Sequence, residues 1–184
     1  YFFSFIAYVI WDFYVAVLGI EIPYPSVADL FWMLGTPGLL IGLGILLKMY
    51  KPRVKGRIVF ESLGIFATIA SLMIYYLGWP DLSESTFSAG FFDIFYTVSD
   101  AFLLTMAVTI LRVAGGKIFT GLILFVIGLF IMVIGDVAFA VRTSADTYFY
   151  GDISDLILLI AWIVNAAAIY YTAKSFVNSE KLNG

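Results

Sequence analysis

The chain has 184 residues, of which 62% are hydrophobic and 12% are charged. A soluble domain carries about 45–50% apolar and about 25% charged residues, so this composition, with a mean hydropathy of +1.02, excludes an ordinary soluble domain and a disordered chain. Ten basic against 13 acidic residues give a net charge of −3, which is not the charge of a nucleic-acid-binding protein. Because Cys and His are absent, disulfides, thiolate or imidazole metal sites and Ser-His or Cys-His catalytic pairs are excluded, and we expect no metal and no cofactor.

Six stretches are long and apolar enough to cross a membrane, which takes about 20 residues. Their short connections favour three antiparallel hairpins, at about residues 1–49, 57–113 and 118–173. The sequence thus predicts an all-α integral membrane helical bundle over residues 1–174 and a short cytoplasmic tail over 175–184. Because Tyr1 already lies inside a span, we expect preceding sequence with room for a further helix. The stretches are about Tyr1–Gly19, Val27–Met49, Arg57–Gly78, Phe91–Val113, Ile118–Val141 and Ile153–Ala173.

Basic residues are segregated to one side of the predicted membrane. Nine of the ten lie in the loop around residues 48–57, the loop around 112–117 or the C-terminal tail, and only Arg142 lies on the other side. Since cytoplasmic loops are rich in Lys and Arg, we expect these loops and the C-terminus to be cytoplasmic, in a multi-pass protein of the cell membrane. Many Trp and Tyr residues fall near the outer side, which is typical of an interfacial aromatic belt. An aromatic-walled ligand pocket is the alternative.

The hairpins repeat an acidic residue at the start of the descending helix. Ser26-x-x-Asp29 has the spacing of a capping box, with a hydroxyl at the N-cap and an acid three residues later. Asp152-x-x-Asp155 and Gly90-x-x-Asp93 are variants with an acidic and a glycine N-cap. We therefore interpret Asp29, Asp93 and Asp155 as helix-capping acids near the outer surface, which does not exclude a second role there.

Three other acids have no such explanation. Asp12 and Asp136 lie toward the C-terminal ends of outward-running helices, where the helix dipole disfavours a carboxylate. Asp100 lies deep in the fourth span, where a charge costs roughly 2.5–3.5 kcal/mol. We expect all three to face the bundle interior, as a ligand or ion site or as a polar network between helices. Tyr96, on the same helix face as Asp100, and Arg142, which could reach Asp136, complete the candidate site.

Other polar or flexible positions in the spans have simpler interpretations. Pro37 predicts a kink, and Gly38-x-x-x-Gly42 predicts close helix packing, with gating as the alternative. Asn165 is expected to join helices by hydrogen bonds. Glu61 lies near the cytoplasmic surface, where it can pair with Lys55 or Arg57.

Two segments, YPSVADLFWMLGTPGLLIGLGIL and VIGDVAFAVRTSADTYFYGDISDLILLIAW, carry a resemblance to a family. They resemble the multi-helix membrane input regions of prokaryotic sensor histidine kinases and diguanylate cyclases. The resemblance implies a signal received by the membrane bundle, but no kinase or cyclase domain follows Lys174. The chain is then an excised module or a stand-alone relative, with a homodimer or a separate cytoplasmic signalling partner as its expected partner besides the lipid bilayer. The matching residues are chiefly Pro25, Ser26, Ala28, Asp29, Leu30, Pro37, Gly135, Asp136, Gly151, Asp152 and Asp155.

These patterns favour a non-enzymatic membrane sensor or receptor-like module with a site open to the outer face. The alternatives are a small transporter or channel that uses the intramembrane carboxylates, and a structural subunit of a membrane complex. An enzyme is not expected, because no nucleophile or metal-ligand arrangement surrounds the acids.

Overall fold

A computed structural model describes residues 2–20, 23–49, 54–75, 87–114 and 119–181, except the side chains of 88, 119, 144 and 176–181. The described chain is helical and contains no strand, which confirms the predicted all-α class. In chain order the helices are α1, Phe2–Asp12, which continues into a π-helical turn at Phe13–Val17; α2, Val27–Met49; α3, Gly56–Met73; α4, Phe87–Val113; α5, Phe119–Ser144; and α6, Ile153–Lys181.

Helices α2 to α6 are long and apolar enough to cross a membrane, so the chain is a multi-pass helical membrane protein by length and composition. The first predicted span is shorter than predicted, since the apolar helix at the start of the described chain is Phe2–Val17. It ends before Gly19, whose φ of +62° is a conformation that terminates helices. At the other end of the chain, α6 extends to Lys181, so most of the predicted tail continues the helix.

Helix α4 is the centre of the bundle. It packs against α2, α3 and α5, and half of its span is buried, the largest share among the five spans. Apolar residues of its second half pack with leucines of α2 and α5. The buried apolar core consists of Leu43 from α2, Leu103, Leu104, Ala107 and Ile110 from α4, and Leu122 and Leu129 from α5.

The most extensive helix contact, between α5 and α6, is built on glycines. Gly121, Gly128 and Gly135 recur every seven residues, so they form one seam along α5. They face Thr172, Asn165 and Leu158 of α6, in that order. A methyl group on Gly121 would lie 3.0 Å from the backbone nitrogen of Thr172, and one on Gly135 would lie 2.7 Å from Leu158 Cδ2. The absence of side chains on this seam therefore lets the two helices approach closely.

The glycine pair that the sequence favoured for packing is not used in this way. A Cβ at Gly38 or Gly42 would meet no described atom within 4 Å, so the predicted close packing does not occur there within the described part of the chain. These glycines lie on a side of α2 that no described helix covers. Gly35, one turn earlier, makes the close contact instead, since its Cβ would lie 3.3 Å from the Ser4 hydroxyl of α1.

The seam predicts different effects on stability for two Gly→Ala substitutions. Gly121→Ala places a methyl group against the α6 backbone, which no side-chain rotation can relieve, and should lower the free energy of unfolding by about 1–3 kcal/mol. The matched Gly42→Ala, with open space around it, should change stability by less than about 0.5 kcal/mol. Chemical unfolding in detergent micelles measures both. Equal effects of the two substitutions would contradict the seam.

Candidate functional site

Asp29 takes part in capping the N-terminus of α2. Its Oδ2 accepts a bond of 2.7 Å from the Ser26 backbone N–H and one of 2.9 Å from the Ser26 hydroxyl. The Ser26 oxygen in turn accepts the N–H of Ala28 at 3.2 Å. This reciprocal arrangement is that of a capping box. It satisfies two backbone donors that would otherwise be unpaired at the helix end.

Two acidic residues cap the N-terminus of α6. Asp152 accepts the N–H of Ser154 at 3.0 Å, and Asp155 accepts the N–H of Gly151 at 2.8 Å. Gly151 has a φ of +84°, which glycine adopts without strain and which turns its N–H toward Asp155. Asp152 is also paired with Arg142 at the end of α5, so the turn between α5 and α6 is held from both sides.

Asp93 does not cap α4, and the prediction from Gly90-x-x-Asp93 is wrong. Helix α4 begins at Phe87, so Gly90 and Asp93 lie inside the helix and its first turn contains no acid. The reason is that a glycine can serve as an N-cap but does not force a helix to begin. Asp93 instead accepts a hydrogen bond from the hydroxyl of Tyr24, in the segment before α2.

At the end of the bundle where α2 and α6 begin, four aspartates each accept a hydrogen bond from a tyrosine hydroxyl. We call these four pairs the Tyr–Asp layer. A phenol donor stabilises a carboxylate that has no basic partner. Two of the pairs join α4 to α2 or to the segment before it, and one joins the α5–α6 turn to α1. The pairs are Tyr24–Asp93, Tyr96–Asp29 at 3.1 Å, Tyr148–Asp155 at 3.2 Å and Tyr150–Asp12 at 2.7 Å.

Aromatic rings pack beneath this layer between α1, α2 and α6. The indole N–H of Trp162 donates to the hydroxyl of Tyr8 at 2.8 Å. The Tyr8 ring meets that of Trp32 edge to face at 5.5 Å between centroids, and Trp32 lies 5.4 Å from Trp11. Trp11 and Trp32 therefore pack against other rings of the bundle, as well as lying near the end where the sequence predicted an aromatic belt.

Asp100 of α4 and Asp136 of α5 form a carboxyl pair at the deep side of the layer. Asp100 is 8% exposed, and the carboxyl groups of Asp100 and Asp136 are close enough to interact electrostatically. A hydrogen bond between two carboxyl groups requires a proton on one of them. Asp100 lies seven residues after Asp93, which is about 10 Å along the helix. Asp136 is also close enough to Tyr8 and Tyr96 to interact electrostatically with both hydroxyls.

The structure brings together three of the five predicted site residues, Asp100, Asp136 and Tyr96. Asp12 is exposed and bonded to Tyr150, so the expectation that it faces the interior is wrong. It is wrong because α1 ends at Asp12 and places it beside the α5–α6 turn. Arg142 was expected to reach Asp136, but it pairs with Asp152. A spacing of six residues puts Arg142 on another face of α5 from Asp136.

Tyr8 was not among the predicted residues, although it lies four residues before Asp12 and thus on the same face of α1. Within the described ranges, no group of three or more acids is arranged to hold a metal ion. An open cleft of about 370 Å³ lies beside the layer, where the segment before α2 meets α4. Its lining includes Tyr14, Pro23, Pro25, Ser26, Leu30 and Phe92.

Comparison of the chain with protein-family models, with curated proteins and with solved structures finds no match. Function is therefore inferred from the residues of the chain itself.

The Arg142–Asp152 pair predicts a pH dependence of stability. Burial raises the pKa of Asp152, but the Ser154 N–H and the Arg142 guanidinium outweigh it and hold this pKa below its ordinary value. A lowered pKa gives stability that is present above the ordinary pKa of about 3.9 and is lost as the pH falls through the folded-state value. Asp152→Asn keeps an N-cap acceptor but removes the charge.

Asp152→Asn should therefore be less stable than the wild type at neutral pH, and the difference should vanish in acid. Thermal unfolding in detergent across the acid range measures this. Asp146→Asn, at an exposed position of the same turn, is the control and should match the wild type throughout. A stability difference that stays constant into acid would show that the charge of Asp152 is not its cause.

Proposed function

We propose that this chain is a non-enzymatic membrane sensor module whose responsive element is the Asp100–Asp136 pair with the Tyr–Asp layer beside it. The observation that carries the proposal is the pair itself. The Asp100 carboxyl is buried beside Asp136, and no basic group among the described residues interacts with it. Gain or loss of one proton, or of a small cation in its place, therefore changes the force between α4 and α5 directly.

The layout of the bundle supports sensing over transport. Beyond the pair, α4 runs toward the end of the bundle where most Lys and Arg residues lie, which we call the basic end. There it continues with Leu103, Leu104 and Ala107, which are buried against leucines of α2 and α5. This apolar core supplies no hydrogen-bonding groups to carry an ion onward. A change at the pair is instead passed to helix packing, because α4 contacts α2, α3 and α5.

A small transporter or channel is the alternative function, and one feature of α4 favours it. Thr105 and Thr109 follow Asp100 along the helix, and both are buried. The Thr109 hydroxyl lies 2.7 Å from that of Ser62 on α3. The Thr105 hydroxyl has no hydrogen-bond partner within the described part of the chain. A path through these hydroxyls would pass along the α3 side of α4.

The proposed arrangement in the membrane is three antiparallel hairpins, α1–α2, α3–α4 and α5–α6, with the basic end in the cytoplasm. Contacts within each of these helix pairs support the hairpins, and the segregation of Lys and Arg supports the orientation. The resemblance to input regions of sensor kinases and cyclases agrees with this orientation. In this proposal a second copy of the chain or a separate cytoplasmic protein receives the signal.

Tryptophan fluorescence tests the proposed response. Trp32 and Trp162 contact Tyr8, which lies beside Asp136, so their emission should report changes at the pair. In proteoliposomes, acidification of the outer medium should shift the emission of the wild type. Asp100→Asn keeps the size of the side chain but cannot ionise, and it should abolish the shift. Asp146→Asn, outside the Tyr–Asp layer, is the control and should keep it.

Two results would contradict the sensor proposal. One is an emission shift that persists unchanged in Asp100→Asn. The other is proton entry into the wild-type liposomes, followed with an internal pH dye, that Asp100→Asn stops; this result would establish the transporter instead.

The orientation can be tested by cysteine labelling, since the chain has no native Cys. An impermeant maleimide added to intact cells should label Tyr150→Cys, which is exposed in the α5–α6 turn. Lys55→Cys, exposed at the start of α3, should be labelled only after the cells are opened. Labelling of Lys55→Cys alone in intact cells would reverse the proposed orientation.

A further inference from the structure

At the end of the bundle opposite the Tyr–Asp layer, Glu61 holds two arginines that come from different helices. Arg57, the second residue of α3, donates its Nε–H to Glu61 Oε1 at 2.6 Å. Arg112, in the last turn of α4, donates to the other carboxylate oxygen. The predicted pairing of Glu61 with Arg57 is confirmed, and the contact with Arg112 adds a connection between α3 and α4.

Among the described residues, most donors of the two guanidinium groups have no acceptor. Each has five N–H bonds in a planar fork, and only one nitrogen of each is bonded to Glu61. Neither group bonds another side chain or carbonyl within the ranges that the structure describes. With Lys55, exposed just before α3, the described residues named here carry three positive charges and one negative. A phosphate group is the natural acceptor for paired guanidinium groups.

The surface next to this cluster is apolar. Phe60 lies three residues after Arg57, on the same helix face, and its side chain is 79% exposed. Gly64 follows one turn later and would meet no described atom within 4 Å if it carried a Cβ. A phosphate held by Arg57 therefore lies next to an apolar strip that no described residue covers, where a hydrocarbon chain can lie.

We propose that Arg57 and Arg112 bind the phosphate of an anionic phospholipid, whose acyl chain lies along Phe60 and Gly64. Both arginines stand at the ends of predicted membrane spans, which is the level of lipid headgroups. A soluble phosphate ion shares the headgroup chemistry, but it would leave the apolar strip unoccupied. The lipid joins the start of α3 to the end of α4 and thus stabilises this end of the bundle.

A thermal unfolding titration tests the site. The purified chain in micelles of a zwitterionic detergent receives increasing amounts of phosphatidylglycerol or phosphatidylcholine, and the melting temperature is followed. Phosphatidylglycerol should raise it more than phosphatidylcholine. In the double variant Arg57→Gln/Arg112→Gln, half-saturation should need about tenfold or more additional phosphatidylglycerol. The matched control Lys48→Gln/Lys174→Gln removes the same charge from exposed positions outside the cluster and should respond like the wild type.

A second variant distinguishes a built site from general attraction to anionic surfaces. Glu61→Gln makes the chain more positive, so diffuse attraction would strengthen the response to phosphatidylglycerol. If Glu61 holds the two guanidinium groups in place for one phosphate, this variant should bind phosphatidylglycerol more weakly than the wild type.

Three results would overturn the proposal. The first is an equal loss of response in the arginine and lysine double variants. The second is a stronger response in Glu61→Gln. The third is a rise in melting temperature with inorganic phosphate alone that matches the rise with phosphatidylglycerol, which would make the ligand a soluble anion.

Discussion

A carboxyl group within a lipid bilayer must obtain its proton or its hydrogen-bond donors from the protein, because hydrocarbon supplies neither. One end of this bundle is rich in aspartates, and its one described arginine is committed to Asp152. Tyrosine hydroxyls donate hydrogen bonds to the aspartates of the Tyr–Asp layer, whereas the carboxyl groups of Asp100 and Asp136 lie close to each other. These contacts connect α2 with α4, α1 with the turn before α6, and α4 with α5, so the need to satisfy carboxyl groups helps to arrange the helices at this end.

The rest of the bundle is held by packing. Hydrogen bonds to carboxyl groups thus join the helices at one end, and apolar packing joins them elsewhere. The glycine seam of α5 lets α6 approach to backbone distance, which leaves little room for relative movement. The leucines around the second half of α4 form the apolar core. Between these tightly packed parts lies the carboxyl pair, the one contact of α4 with α5 described above whose strength depends on a proton. A sensor needs such a contact, since a ligand shifts an equilibrium only by interacting differently with its two states.

Helix α4 connects the two ends of the molecule. Its first turns carry Asp93 and Tyr96 of the Tyr–Asp layer, its middle carries Asp100, and its last turn carries Arg112, which meets Glu61 of α3. The proposed proton-responsive pair and the proposed lipid site therefore lie on one rigid element. If α4 moves relative to α5, the position of Arg112 at the start of α3 changes with it, which gives the proposed signal a physical route to the basic end.

The sequence by itself determined the features that depend on neighbours within one or two helical turns. Runs of apolar residues predicted the helices, and the spacing of Ser26 and Asp29 predicted their reciprocal bonds. The position of Glu61 near the end of its span favoured a pair with Lys55 or Arg57, of which the pair with Arg57 is observed. Only the tertiary structure decided the partners of Asp12, Asp100, Asp136 and Arg142, the start of α4, and the use of Gly121 rather than Gly42 for packing. Tyr96 and Asp29 are 67 residues apart, and Tyr150 and Asp12 are 138 apart. Contacts over such separations depend on which faces the helices turn toward each other, and an almost uniformly apolar membrane helix gives little sign of this in its sequence.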